Sequence, residues 1–118
     1  MELTSSKEYK ELTTEQKFKI CNGCGAQSAF MDFVPDSMYG LDISEACNIH
    51  DFDYHAGITQ KDKDMADMRF LTNLILLINR GNAFLKFLRR RRALKYYEAV
   101  VTFGDNAFWG GKDEESRL

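Results

Sequence analysis

Apolar side chains recur every three or four positions between Asp62 and Asn79, and this periodicity limits the fold more than any other feature. The apolar residues of the stretch are Met65, Met68, Leu71, Leu74, Ile75 and Ile78. An α-helix turns once in about 3.6 residues, so this spacing gathers them on one helical face. Gly81 follows and ends the pattern. The stretch predicts a helix over residues 62–79 whose apolar stripe, with both methionines, packs into the core.

Two earlier helices are predicted from the residues at their boundaries. Thr13 and Gln16 have the spacing of a capping box, in which each side chain bonds the backbone of the other residue, and the short helix that follows ends near Ile20. Ser44 has the side chain of an N-cap, and a glycine follows the stretch after it. We therefore expect a second helix over residues 44–55.

The segments between these helices carry glycine and proline instead of alternating apolar residues. CNGCGAQ, residues 21–27, indicates a glycine-rich loop, and FVPDSMYG, residues 33–40, a second irregular stretch. A last helix is expected over residues 83–103. Since no strand pattern appears, all 118 residues are predicted to form one small all-α domain. Its central feature is an antiparallel pair of helices, 44–55 and 62–79.

The N-terminal residues MELTSSKEYKELTTEQ lack the apolar core of an export signal. The longest apolar run, FLTNLILLI, is too short to span a bilayer. These features predict a soluble protein that is made in the cytoplasm and has no Sec-type export signal. Cys21, Cys24 and Cys47 are then expected by default to be reduced thiols or metal ligands, with a bond between Cys47 and a loop cysteine under oxidising conditions as the alternative.

Positive charge is concentrated between Arg80 and Lys95, where no acidic residue occurs. The basic residues are Arg80, Lys86, Arg89, Arg90, Arg91, Arg92 and Lys95, with Phe84, Leu85, Phe87 and Leu88 among them. A basic amphipathic helix of this kind fits an anionic phospholipid membrane surface. A solvated helix face and a helix that docks on a protein partner are alternatives. Nucleic acid is less favoured, because no base-reading motif accompanies the arginines.

Four polar residues of the predicted helix 44–55 lie three or four positions apart and share a face. They are Cys47, His50, Asp51 and Tyr54. If the next helix packs antiparallel against this one, Asp64 or Asp67 can reach the imidazole of His50. A carboxylate on one ring nitrogen sets the tautomer and leaves the other nitrogen to take a proton, as a general base requires.

Asp51 would direct a hard oxygen ligand toward the same cleft as His50. Calcium prefers such oxygens, often combined with backbone carbonyls of a turn-rich loop. Gly23 and Gly25 in CNGCG supply the backbone freedom that such a loop needs. The pattern therefore predicts a calcium ion beside the histidine.

The segments CNGCG, ACNIHDFDY and DKDMADMRFL, in this order, resemble the phospholipase A2 superfamily, and the likeness is closest to its small bacterial, phage and parvoviral members. It is strongest over residues 20–71, within a family-like core of about 13–80. The resemblance implies calcium-dependent hydrolysis of the sn-2 ester of glycerophospholipids by a His/Asp dyad that activates water. It also implies a phage-associated protein, or one released by a non-Sec route.

The resemblance implies a role for each matched residue. His50 resembles the base that activates water, and Tyr54 the tyrosine that supports the catalytic carboxylate. Asp67 best resembles the dyad aspartate, with Asp64 as the alternative. Asp51 resembles the carboxylate ligand of calcium. The backbone carbonyls that resemble the rest of the calcium shell are those of Cys21, Gly23 and Gly25. The N–H of Gly23 resembles an oxyanion-hole donor.

Two other hypotheses fit parts of the same pattern. Cys21-x-x-Cys24 and Cys47-x-x-His50 have the spacing of a three-cysteine, one-histidine zinc site. That pattern predicts a non-catalytic, zinc-stabilised module that binds a partner or nucleic acid through its basic helix. Zinc would leave the acidic and tyrosine residues unexplained, so the hydrolase hypothesis explains more. The remaining alternative keeps the phospholipase-like fold without activity, as a structural or phage-associated relative.

Overall fold

The computed structural model describes residues 3–20, 37–81 and 83–109. The helices are α1 (Lys7–Lys10), α2 (Thr14–Ile20), α3 (Ser44–Ala56), α4 (Gln60–Arg80), α5 (Lys86–Phe103) and α6 (Asp105–Trp109). A 3-10 turn over Ala83–Leu85 leads into α5, and strands β1 (Ser37–Met38) and β2 (Leu41–Asp42) form an antiparallel hairpin. The all-α prediction is confirmed. The hairpin was not predicted, because two-residue strands are too short to show alternation.

The helix predicted after Thr13 is present as α2, and its capping box forms. The N–H of Thr13 donates to Oε1 of Gln16 at 2.9 Å, and the N–H of Gln16 donates to Oγ1 of Thr13 at 3.1 Å. The single turn of α1 was not predicted. It is capped by the hydroxyl of Ser6, which accepts from the N–H of Tyr9.

Ser44 begins α3 but does not cap it. The N-cap is Ile43, which has no side-chain hydrogen bond to offer. Asp42 acts from one position further back, and its Oδ1 accepts from the N–H of Ser44 at 2.8 Å. The carboxylate thus serves one of the N–H groups that lack a partner inside the helix. The prediction of Ser44 as N-cap is wrong for this reason, although the helix itself is where it was expected.

Helix α4 is longer than predicted, because its capping box lies further upstream. The hydroxyl of Thr59 accepts from the N–H of Asp62 at 3.1 Å, and Oδ2 of Asp62 accepts from the N–H of Thr59 at 3.1 Å. The helix therefore begins at Gln60. Gly81 follows its last residue, as predicted.

The face that α4 turns toward the core differs from the predicted one. Met65 and Met68 are 58% and 52% exposed, so the prediction that both pack in the core is wrong. The buried residues of α4 are Lys63, Ala66, Asp67, Phe70, Asn73, Leu74 and Ile78. This stripe includes polar residues that have hydrogen-bond partners inside the protein. The helix therefore turns a partly polar face toward the core, and its purely apolar stripe is only partly buried.

The core lies between α3, α4 and α5 and is closed at one end by α6. Phe108 and Trp109 of α6 are buried and belong to the core. A Cβ on Gly57 would lie 2.8 Å from Cε1 of Phe108, so the connection between α3 and α4 has room only for glycine there. Full burial of one such aromatic side chain contributes about 1.5–3 kcal/mol.

Asn73 ties the N-terminal segment to α4. Its Oδ1 accepts from the N–H of Thr4 at 2.8 Å, and its Nδ2 donates to the carbonyl of the same residue at 2.9 Å. The buried amide thus has partners for both ends. No helix within the described ranges is long and apolar enough to cross a membrane.

Candidate active site

Helices α3 and α4 run antiparallel, as predicted, and bring His50 against Asp67. Nε2 of His50 lies 2.9 Å from Oδ1 of Asp67, and both side chains are about 1% exposed. The alternative aspartate is elsewhere, because Asp64 lies on the exposed side of α4 and accepts from Nε2 of Gln60 at 3.0 Å. Asp67 is therefore the carboxylate that meets the imidazole.

Asp67 accepts hydrogen bonds at both of its oxygens. Oδ1 also accepts from the hydroxyl of Tyr54 at 2.6 Å, and Oδ2 accepts from Nζ of Lys63 at 2.9 Å. Burial by itself would raise the pKa of Asp67, but the hydrogen bonds from His50, Tyr54 and Lys63 outweigh it and hold the pKa below its usual range. The carboxylate is consequently ionised at neutral pH.

Lys63 connects this carboxylate to the C-terminal turn of α5. Its Nζ donates to the carbonyls of Val100 at 3.2 Å and Val101 at 3.5 Å, in addition to Asp67. Oδ1 of Asp105 lies 3.8 Å from the same Nζ, but the side chain of Asp105 is largely exposed. An ammonium has three N–H groups, so each finds an acceptor although the lysine is buried. The last carbonyls of a helix lack partners within it, and a cation there is favourable.

The hydroxyl of Tyr54 sits where α5 gives way to α6. It lies 3.5 Å from the carbonyl oxygen of Val100, and a Cβ on Gly104 would collide with both atoms. Burial, together with the nearby charge of Asp67, raises the pKa of Tyr54 far above its usual value. Tyr54 therefore remains a protonated donor to the carboxylate.

The second ring nitrogen of His50 is left available. Nδ1 is buried and has no hydrogen-bond partner among the described residues. The ring packs against Tyr54 and Phe70, with centroid distances of 4.2 and 4.8 Å. Because Nε2 faces an ionised carboxylate, which can only accept, the neutral form of the imidazole has its proton on Nε2 and its lone pair on Nδ1. The arrangement can take a proton from a molecule placed at Nδ1.

The predicted calcium ligands are only partly within the described chain. Asp51 is half-buried on α3, one residue after His50. Cys21, Gly23 and Gly25 lie outside the described residues, so their roles stay predictions. In the described ranges, no group of three or more histidine, cysteine or acidic side chains could hold a metal ion. A calcium ion on Asp51 would thus require further oxygens, such as backbone carbonyls or water.

Cys47 is buried on α3 and is disulfide-bonded. The expectation of a reduced thiol or metal ligand is therefore wrong for this residue, because a disulfide sulfur is not the thiolate that zinc binds. Cys21 and Cys24 lie outside the described residues. With Cys47 oxidised, the Cys47-x-x-His50 half of the zinc hypothesis loses one ligand.

Sequence reasoning missed Lys63, although it contacts the central carboxylate directly. One signal was present, because Lys63 precedes Asp67 by four residues and such pairs are neighbours on a helix. The signal was weak, since ion pairs with this spacing are common on exposed helix faces. The burial of Lys63 depends on the carbonyl oxygens of Val100 and Val101 in α5, which only the tertiary structure brings to it.

Comparisons with protein-family models, with curated proteins and with solved structures find no match for this chain. The site must therefore be interpreted from its own residues.

Proposed function

We propose that this protein is a calcium-dependent ester hydrolase of the phospholipase A2 type, which cleaves the sn-2 ester of glycerophospholipids. The observation that carries the proposal is the buried pair of His50 and Asp67, joined at 2.9 Å, with Nδ1 of the same imidazole unpartnered among the described residues. A general base needs one nitrogen held by a carboxylate and the other able to accept a proton.

The chemistry of the chain follows from that geometry. His50 would accept a proton at Nδ1 from a water molecule as the water attacks the ester carbonyl. Asp67 would stabilise the imidazolium that forms and keep the ring oriented. The proton would then pass from Nδ1 to the leaving alcohol. No covalent enzyme intermediate is needed, because the nucleophile is water.

Calcium, when bound, would polarise the ester carbonyl and stabilise the oxyanion. Asp51 supplies one hard oxygen ligand from the helix that carries the base. The proposed partners are the backbone carbonyls of Cys21, Gly23 and Gly25, with the N–H of Gly23 as an additional oxyanion donor. This set suits calcium, which binds carboxylate and carbonyl oxygens at flexible geometry.

Lys63 and Tyr54 would act as positioning residues. Both donate to Asp67 and fix the carboxylate that orients His50. Lys63 also joins the dyad to α5, so the packing of that helix would affect the rate indirectly.

Replacement of His50 by glutamine tests the proposal. We expect hydrolysis of phospholipid vesicles with calcium to fall about 10²–10⁴-fold, which is the usual contribution of a general base. The control is His55→Gln, an exposed histidine near the end of the same helix, which should keep full activity. Circular dichroism checks that the helices remain. Equal activity in the two variants would remove His50 from the mechanism.

The zinc hypothesis is tested on the same protein. Elemental analysis after purification without chelators should find no stoichiometric zinc, because Cys47 is disulfide-bonded. One zinc per chain, lost together with the fold on chelation, would contradict the proposed function.

A further inference from the structure

An exposed group of apolar and basic side chains lies away from the dyad, on the outer side of α5. Phe84 and Phe87 are 86% and 67% exposed. Phe84 lies in the 3-10 turn that leads into α5. By helical spacing, Phe87 shares one direction with three cations and a leucine further along α5. We call this set the α5 outer face, and its members are Phe84, Phe87, Leu88, Arg91, Arg92 and Lys95. Tyr39 of the hairpin stands beside it, where a notch of about 210 Å³ is lined by Tyr39, Leu88, Arg91, Arg92 and Lys95.

The four consecutive arginines do not act together, because a helix turns about 100° per residue. Arg89 points inward and is buried. Arg90 leaves on another side, where its Nη2 lies 3.3 Å from Oδ1 of Asn79 in α4. Of the four arginines, only Arg91 and Arg92 belong to the α5 outer face.

Arg89 holds the hairpin against α5 from the inside. Its Nε donates to the carbonyl of Met38 at 3.3 Å, and its Nη2 donates to the carbonyl of Tyr39 at 2.6 Å. The two residues of the turn have φ values of +51° at Tyr39 and +79° at Gly40. A positive φ is unfavourable for a bulky side chain such as tyrosine. The backbone of Tyr39 is therefore strained, and the turn places the ring of this residue beside the notch.

The ring of Tyr39 organises one wall of the notch. Nη2 of Arg92 donates to its hydroxyl at 3.2 Å, and the guanidinium carbon lies 5.4 Å from the ring centroid. Within the described residues, no carboxylate lies within 4.0 Å of the charged ends of Arg91, Arg92 or Lys95. The next acidic residue of the helix is Glu98, about one turn beyond Lys95. The notch thus gathers positive charge that has no ion-pair partner within the described ranges.

We propose that the α5 outer face docks on an anionic phospholipid membrane, with headgroup phosphates in the notch and the two phenylalanine rings in the interfacial layer. The cations match phosphate in charge, and arginine matches it in geometry. The exposed phenylalanine rings beside the cations would not help to bind a free phosphate ion. Their transfer from water into a membrane interface is favourable, however. Together these two features favour a lipid surface over free phosphate or nucleic acid. The proposal extends the proposed function by stating where the enzyme would meet its substrate, yet docking itself requires no hydrolysis.

Binding to vesicles of ether-linked lipids tests the docking separately from catalysis, because these lipids contain no ester to cleave. We expect the wild-type protein to sediment with vesicles of the diether analogue of phosphatidylglycerol at low salt, and much less with vesicles of the diether analogue of phosphatidylcholine. Changing Arg91, Arg92 and Lys95 together to glutamine should weaken this binding about a hundredfold, since each basic residue near an anionic surface contributes roughly a fivefold factor. The matched control is Arg90→Gln, which removes a charge of the same type from outside the face and should reduce affinity much less than Arg91→Gln.

The apolar part of the proposal has its own readout. The double variant Phe84→Ala, Phe87→Ala should bind anionic vesicles more weakly at both low and high salt, whereas the loss in the triple variant should shrink as salt screens the charges. Circular dichroism establishes that all variants are folded.

Three results would overturn the proposal. The first is unchanged vesicle binding in the triple variant, and the second is an equal loss in Arg90→Gln and Arg91→Gln. The third is that inorganic phosphate or a single-stranded oligonucleotide, at the same salt concentration, binds as tightly as the vesicles. If docking fails by these measures while ester hydrolysis of a dispersed short-chain substrate persists, only the docking proposal is lost. If docking holds and hydrolysis is absent, only the proposed function is lost.

Discussion

Lys63 and Asp67 are each buried, and each supplies part of the polar environment that the other has lost on leaving water. Their charged atoms are 2.9 Å apart, and both are hydrogen-bonded to further groups. Removing one member of such a pair leaves the other charge uncompensated in a medium that solvates it poorly. At the scale of single residues, the pair of His50 and Asp67 therefore depends on Lys63, which compensates the charge of the buried carboxylate.

The replacement Lys63→Met removes the charge and leaves an unbranched apolar side chain that is one atom shorter. We expect the free energy of unfolding to fall by about 3–5 kcal/mol, as for other broken buried pairs, measured by urea denaturation. The rate of ester hydrolysis should also fall, because Asp67 loses a donor that fixes its position. Lys61→Met, at an exposed position of the same helix, is the control and should be close to wild type. Equal stability of the two variants would mean that the buried pair contributes nothing.

Replacement of the two aspartates by asparagine should separate their roles. Asp51→Asn is expected to weaken calcium binding and activity together, because it removes a charged oxygen ligand. Asp67→Asn should lower the rate with little change in calcium affinity, and it should also destabilise the fold because Lys63 loses its counter-ion. Calcium titration and urea denaturation distinguish the two outcomes. A larger rate loss in Asp64→Asn than in Asp67→Asn would contradict the assignment of the dyad.

At the scale of the element, the rotation of α4 decides which residues carry stability. Changing both Met65 and Met68 to glutamine should alter the free energy of unfolding by less than about 1 kcal/mol, since surface substitutions usually have small effects. Leu74→Ala, at a fully buried position of the same helix, should cost about 2–5 kcal/mol. Thermal or urea unfolding of the two variants provides the comparison. A greater loss in the methionine variant would place the predicted apolar stripe, and not the observed one, against the core.

The hairpin turn offers a test of stability against function. Tyr39→Asn should raise the free energy of unfolding by about 1 kcal/mol, because asparagine accepts a positive φ more readily than tyrosine does. The same change removes the ring and hydroxyl that contact Arg92, so binding to anionic vesicles should weaken. Differential scanning calorimetry and vesicle sedimentation measure the two effects. A lower unfolding temperature would show that the contacts of Tyr39 outweigh its backbone strain.

At the scale of the whole molecule, three helices meet at the buried carboxylate, so its ionisation should affect global stability. The pKa of Asp67 is lower in the folded protein than in an unfolded chain. Its ionised form therefore stabilises the fold above the ordinary carboxyl pKa of about 3.9, and this stabilisation is lost as the pH falls through the lowered value. Asp53 acts in the opposite direction, because burial raises its pKa more than its ion pair with Arg69 lowers it.

We expect the unfolding temperature to fall steeply below about pH 4, and the fall to be shallower in Asp67→Asn, which has no carboxylate to protonate. Asp64→Asn, at an exposed position, is the control and should follow the wild-type curve. Thermal melts followed by circular dichroism between about pH 6 and about pH 2 measure the slopes. Parallel curves for wild type and Asp67→Asn would show that protonation of Asp67 does not contribute to acid unfolding.

The sequence by itself determined the features that depend on neighbouring residues. Helix boundaries followed from Thr13 with Gln16 and from Gly81, because capping and chain reversal are local interactions. The shared face of His50 and Tyr54 followed from helical spacing alone. That Asp64 or Asp67 would reach His50 needed one further assumption, an antiparallel neighbour, which the three-residue connection between α3 and α4 makes almost obligatory. The preference for Asp67 over Asp64 rested on the family resemblance, and helical spacing left both open.

Only the tertiary structure decided which polar side chains are buried. Lys63 can lie inside because Val100 and Val101, far along the chain, bring two carbonyl oxygens to it. Arg89 differs from Arg91 in the same way, because its acceptors are backbone carbonyls of the hairpin. A charge can be buried only where acceptors replace its water, and here they come from residues distant in the sequence. The spacing of residues along one helix therefore cannot distinguish a buried cation from an exposed one.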